Sequence, residues 1–131
     1  MNNLLFIYLW YNFIVLLNNV YAAGYTTSVT STSVTVGGSI TLNVKGSDIA
    51  GKFTITTSDS SIISVSTSNI WIDNNTQSIT LKTKKIGAAT ITIIPTDVTS
   101  YSGESITGNK TIKITVKAKQ TNSNSGSSGN N

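Results

Sequence analysis

Ser39-Ile40-Thr41-Leu42-Asn43-Val44-Lys45 sets Ile40, Leu42 and Val44 at alternate positions, with Thr41, Asn43 and Lys45 between them. Successive side chains of an extended chain point to opposite faces, so this spacing makes one dry face and one wet face. That is the pattern of a half-buried antiparallel strand. The same period recurs with Phe53 and Ile55 in KFTIT, Ile79 and Leu81 in QSITLKT, and Ala89, Ile91 and Ile93 in AATITI. It returns with Ile112, Ile114 and Val116 in KTIKITVK. Two shorter runs, 62–66 and 70–72, and an N-terminal segment ending at Val34 and Val36 complete the set. These runs lack the i, i+3, i+4 stripe of a helix, and their β-branched residues favour extended backbone. Gly37-Gly38, Gly46-Ser47-Asp48, Ser58-Asp59-Ser60, Asp73-Asn74-Asn75 and Gly87 read as the turns between them. About seven short strands at roughly ten-residue spacing predict an all-β, immunoglobulin-like two-sheet antiparallel β-sandwich over residues 24–119.

Composition narrows the chemistry. The chain has 131 residues, enough for one domain, and contains no Cys, His or Arg. A disulfide framework, a Cys/His zinc site, a thiol nucleophile and a Ser–His–Asp relay are all excluded. Interdigitated Ile, Val and Leu must hold the sheets together, and the expected domain is non-catalytic and carries no cofactor. The net charge of +4 rests on Lys alone. Lys82, Lys84 and Lys85 precede Gly87, and Lys110, Lys113, Lys117 and Lys119 line the last strand. Lysines there guard a sheet edge against pairing or keep a face wet. Attraction to an anionic wall polymer or membrane surface is the second reading. With no Arg and no aromatic-interleaved basic patch, nucleic acid is not an expected partner.

The two ends differ from the middle. Residues 4–17, LLFIYLWYNFIVLL, are broken only by Asn12, and Val20-Tyr21-Ala22 follows. This reads as a secretory signal peptide over residues 1–22, cut after Ala22. The first charged side chain is Lys45, so a basic n-region is missing. An uncleaved membrane anchor and a mis-assigned start are the competing readings. Signal or anchor alike sends the domain to the cell surface or outside the cell, with membrane contact only through an uncleaved N-terminal segment. Residues 120–131, QTNSNSGSSGNN, hold no apolar side chain and read as a disordered polar tail or linker.

Three motifs in order carry a resemblance. Val34-Thr35-Val36-Gly37-Gly38-Ser39-Ile40-Thr41-Leu42 is a strand, a Val-Gly turn and a second strand opening on small polar residues. Thr57-Ser58-Asp59-Ser60-Ser61-Ile62-Ile63-Ser64-Val65-Ser66 is a Ser-rich turn followed by a short strand. Gly87-Ala88-Ala89-Thr90-Ile91-Thr92-Ile93 has the form Gly-x-Ala-x-Ile-x-Ile. Together, over roughly residues 29–117, they resemble the bacterial Ig-like domains of group 2, modules of the invasin/intimin-like Ig superfamily. Ile55 stands where that family often has a Trp. The resemblance implies a spacer, adhesion or binding module of a secreted, surface-attached or phage-virion protein.

Candidate sites are few. Most of the acids, Asp48, Asp59, Asp73, Asp97 and Glu104, sit in turn-like contexts where Asp bonds its own backbone. Asp73-Asn74-Asn75, or Asp97 with Glu104, offers oxygen ligands for calcium, at spacings that match no known loop. Asn74-Asn75-Thr76 and Asn109-Lys110-Thr111 match the glycosylation pattern, read here as chance. After residue 22 the aromatics are Tyr25, Phe53, Trp71 and Tyr101. Phe53 alternates with Ile55 and belongs to the core. Trp71 lies between Ile70 and Ile72, so it points outward if they point inward. With Tyr101 in a loop expected over Thr96–Asn109, it is the candidate ligand contact, a stacking surface for a sugar. Otherwise Trp71 covers a sheet edge. The leading expectation is a non-catalytic structural or adhesion module whose partner is a cell-surface glycan or protein. The rivals are a carbohydrate-binding module using Trp71 and Tyr101, and a phage tail or capsid decoration domain.

Overall fold

The computed structural model describes residues 22–120. The expected signal or anchor and the polar tail fall outside that range, apart from Ala22 and Gln120 at its borders.

Nine strands form two facing sheets, and among the described residues there is no helix. They are β1 (Gly24–Val29), β2 (Ser33–Thr35), β3 (Ser39–Ser47), β4 (Ile49–Thr57), β5 (Ile63–Val65), β6 (Asn69–Asp73), β7 (Thr76–Thr83), β8 (Gly87–Ser100) and β9 (Lys110–Lys117). One sheet has the order β1-β3-β7-β5 and the other β2-β9-β8-β4-β6. Pairing is antiparallel throughout, except that β2 runs parallel to β9. The immunoglobulin-like sandwich read from the alternation is present, with more strands than expected. The N-terminal segment breaks at residues 30–32, and its halves join different sheets.

The alternation translates directly into the core. Ile40, Leu42 and Val44 of β3, Phe53 and Ile55 of β4, Ile79 and Leu81 of β7, and Ala89, Ile91 and Ile93 of β8 are all buried. Ile114 and Val116 are buried as well, while Ile112, near the start of β9, is half-buried. Tyr25 and Val98 join them without having been singled out by the pattern.

Several boundaries differ from the sequence reading. Most of the turn signals are corners between sheets: from β3 to β8 every link carries the chain to the other sheet. As a result β5, which pairs with β7, precedes β6, which pairs with β4. An immunoglobulin variable domain places the strand beside C before the strand beside E, so this order is reversed. The turn expected at Gly46-Ser47-Asp48 shrinks to Asp48, because β3 continues through Ser47. Gly46 faces the core there, and a Cβ on it would come 2.6 Å from Ile72 Cγ2. The loop expected over Thr96–Asn109 begins only at Tyr101, since 96–100 still belong to β8. β9 is a sheet edge only over its first half, because β2 covers Thr115, Val116 and Lys117. The edge-guard reading therefore holds for Lys110 and Lys113 and not for Lys117.

One irregularity sets the candidate site. Lys52 pairs with Asp97 and Phe53 with Pro95, so Thr96 is an extra residue in β8. The bulge shifts the inward phase from Ala89, Ile91 and Ile93 to Val98 and Ser100. Pro95 is tolerated because β9 stops pairing at Ile93, and no ladder bond is asked of its missing N–H on that side. The Thr96 hydroxyl donates to the Lys52 carbonyl at 3.0 Å and pins the bulge. Opposite, Gly51 has φ +152, and a Cβ there would collide with the backbone of Asp97 and Val98.

Candidate ligand-contact face

The outer face of β6 carries Asn69, Trp71 and Asp73, while Ile72 is fully buried beneath and Ile70 half-buried. Trp71 is 60% exposed, the most exposed large hydrophobic side chain among the described residues. Its position on the wet face follows from the period of the strand. In the ladder Trp71 is opposite Lys52, and Lys52 is opposite Asp97, so the three residues share one row across three strands. Above this row lies a polar shelf: the Thr54 hydroxyl donates to Asn69 Oδ1 at 3.0 Å and lies 3.4 Å from the Thr96 hydroxyl.

Below the row the structure brings in Tyr101. Its hydroxyl donates a hydrogen bond to Asp73 Oδ1, and the ring is 56% exposed. The bond to the carboxylate holds the phenol proton and raises the Tyr101 pKa above its usual value. Asp73 lies two residues, about 6.6 Å, from Trp71 along the same face. The two aromatics named from sequence thus reach one surface, linked through Asp73.

The corner that presents Tyr101 is built by Asp and Asn. Asp48 (φ 59) and Asn74 (φ 53) both adopt the left-handed conformation that short polar side chains tolerate. Asn74 Oδ1 accepts the Asp48 N–H at 2.7 Å, and the Asp48 carbonyl accepts the Tyr101 N–H at 3.1 Å. Asn75 Oδ1 accepts the Asp73 N–H at 2.8 Å, and Gln77 Nε2 donates to the Trp71 carbonyl at 3.3 Å. These last two bonds occupy backbone groups along β6, which is an edge strand. The amide oxygens of Asn74 and Asn75, considered above as calcium ligands, are therefore engaged with backbone. Among the described residues no group of three or more acidic side chains converges to hold a metal ion. Asp59 acts as a turn residue, accepting from the Ser61 hydroxyl and N–H, and these bonds lower its pKa.

A separate hollow of about 420 Å³ lies where the chain enters the sandwich, bounded by Ala23, Tyr25, Ile106, Gly108 and Lys110. It does not include Trp71 or Tyr101. Nothing in the sequence pattern marked Tyr25, which has no apolar alternation around it.

Charge is mixed at both ends of the strands, Asp59 lying near Lys85 at one and Lys45 and Lys52 lying toward the other. β1 starts beside Ser47 at the same end as Asp48, Asp73 and Glu104, with Asp97 close by in β8. β9 finishes at the opposite end, where Lys117 pairs with Thr35 and the link holding Lys84 and Lys85 precedes β8.

No protein-family model matches the sequence, and no curated protein does. One solved structure shares the fold: domains 1-6 of the surface layer protein SbsC, at a TM-score of 0.50 and 24% identity. The match covers 76% of this chain and 14% of that one, so the chain spans a small part of the surface layer protein's length. At this identity the likeness speaks for the fold alone.

Proposed function

We propose that this chain is a non-catalytic β-sandwich module of a secreted or cell-surface protein, serving as a structural spacer and adhesion unit. The observation that carries the reading is the path of the chain: it enters at Gly24 and leaves at Lys117, at opposite ends of the strands. Modules with ends so placed join in line, each adding the length of its strands. The 14 residues of β8 correspond to a span on the order of 40 Å. A fold shared with domains of a surface layer protein supports the same reading, as does the apolar run at residues 4–17.

The test is the destination of the full chain. Carrying a C-terminal epitope tag and expressed in a secreting bacterium, it is expected on intact cells or in the medium, accessible to antibody and to added protease. Full-length soluble protein confined to the cytoplasm overturns the reading and moves preference to a virion decoration domain.

A further inference from the structure

Trp71 is a poor residue for solubility and stands on a sheet face that is hydrophilic apart from Ala50 and the half-buried Ile94. Across the ladder it is opposite Lys52, with Asp97 one strand further, and along its strand lie Asn69 and Asp73. No continuous apolar patch surrounds it, as the core of a protein–protein interface requires. A ligand for this face needs one apolar side to lie on the indole and polar groups at its rim. A pyranose has this form: its C–H face stacks on an aromatic ring, and its hydroxyls both donate and accept. Lys52 supplies donors, Asp97 and Asp73 supply acceptors, and the Asn69–Thr54–Thr96 shelf supplies more. The signs of Lys52 and Asp97 offset, which suits an uncharged ligand. The face is an open sheet, so it suits the interior of a glycan chain more than a single sugar enclosed in a pocket.

We propose that the outer face of β4, β6 and β8, centred on Trp71 with Lys52, Asp97 and the Asp73–Tyr101 pair, binds a neutral polysaccharide. Trp71 is the stacking platform, Lys52 and Asp97 bond hydroxyls of the sugar lying on it, and Tyr101 borders the next sugar along the strand. The inference goes beyond the surface-module reading and does not depend on it, since export and glycan binding are measured separately.

The probes are cellohexaose and chitohexaose, whose β-linked sugars expose flat C–H faces. The full chain is used in a Trp10→Phe background, which leaves Trp71 as its only indole. Saturable change of Trp71 fluorescence at millimolar oligosaccharide is expected, little altered between low and high salt. Trp71→Ala should abolish binding measured by calorimetry, and Asp97→Asn should weaken it several-fold. Trp71 is exposed, so both variants should keep the wild-type circular dichroism. No saturable response to either probe by folded protein overturns the proposal. So does binding that survives Trp71→Ala, or retention only on a polyanion such as heparin that salt abolishes, which would shift the site to the surface lysines.

Discussion

The hydroxyl of Tyr25 donates to the carbonyl of Gly108 at 2.5 Å, joining the first strand of one sheet to the segment that opens the last strand of the other. The Tyr25 ring meets Phe53 edge-on at 4.8 Å, and the Lys110 ammonium lies 5.1 Å from its centroid. The chain has no cysteine, and this contact is one tie between the two sheets that needs no disulfide.

Tyr25→Phe keeps the ring and removes the hydroxyl, so it should cost about 1 kcal/mol in urea unfolding. Tyr25→Ala empties the space beside Phe53 and should cost about 3–5 kcal/mol.

Burial raises the Tyr25 pKa above 10.0. The folded state thus keeps its phenol protonated when the unfolded chain has begun to lose that proton. The resulting stability is complete below the unfolded pKa and is lost as pH rises through the folded one. Thermal melts should show an alkaline fall starting near pH 10.0, and Tyr25→Phe should reduce it. Equal alkaline loss in both proteins would assign the effect to other groups, Tyr101 among them.

Ile91 is fully buried in β8, and its neighbour Thr92 is half-buried on the other face. Ile91→Ala should cost about 2–5 kcal/mol and Thr92→Ala under about 1 kcal/mol. Similar losses at the two positions would contradict the register of β8.

Gly51 is the position least able to accept a side chain, combining φ +152 with close approach to the β8 bulge. Gly51→Ala should cost about 2–4 kcal/mol, since β4 and β8 must part to admit the methyl. Gly24, with open space around its would-be Cβ, is the control, and Gly24→Ala should shift stability by less than about 1 kcal/mol.

Asn74 holds the Asp48–Tyr101 corner with a positive φ and a side-chain bond. Asn74→Ala loses both advantages and should cost about 1–3 kcal/mol, while Asn74→Gly should recover the part due to backbone strain. If Ala and Gly behave alike, the side-chain bond to Asp48 carries the whole effect.

Most of the core was legible because a strand's facing pattern is local. Ile40, Leu42, Val44, Phe53, Ile55, Ile79, Leu81, Ile91 and Ile93 were each placed inward by period two alone, and each is buried. Val98 escaped that reading because the extra residue at Thr96 shifts the phase, and its effect is seen only in pairing with β4. Tyr25 escaped because its partners, Phe53 and Gly108, lie far along the chain. For the candidate face, the outward aim of Trp71 was legible from Ile70 and Ile72. Its row with Lys52 and Asp97, and the link from Asp73 to Tyr101, were not.

The sequence by itself determined that residues 24–119 are all-β, which side of each regular strand is wet, and which reaction chemistries its residue types exclude. Alternation and composition hold these facts, and neither depends on what packs against what. Only the tertiary structure decided which sheet each strand joins, why β5 precedes β6, and where the ladder slips by one residue. It also decided that Tyr101 reaches Asp73 on the face of Trp71. Those features depend on long-range pairing and on the fit of buried side chains between two sheets, and period two is the same whichever partner a strand takes.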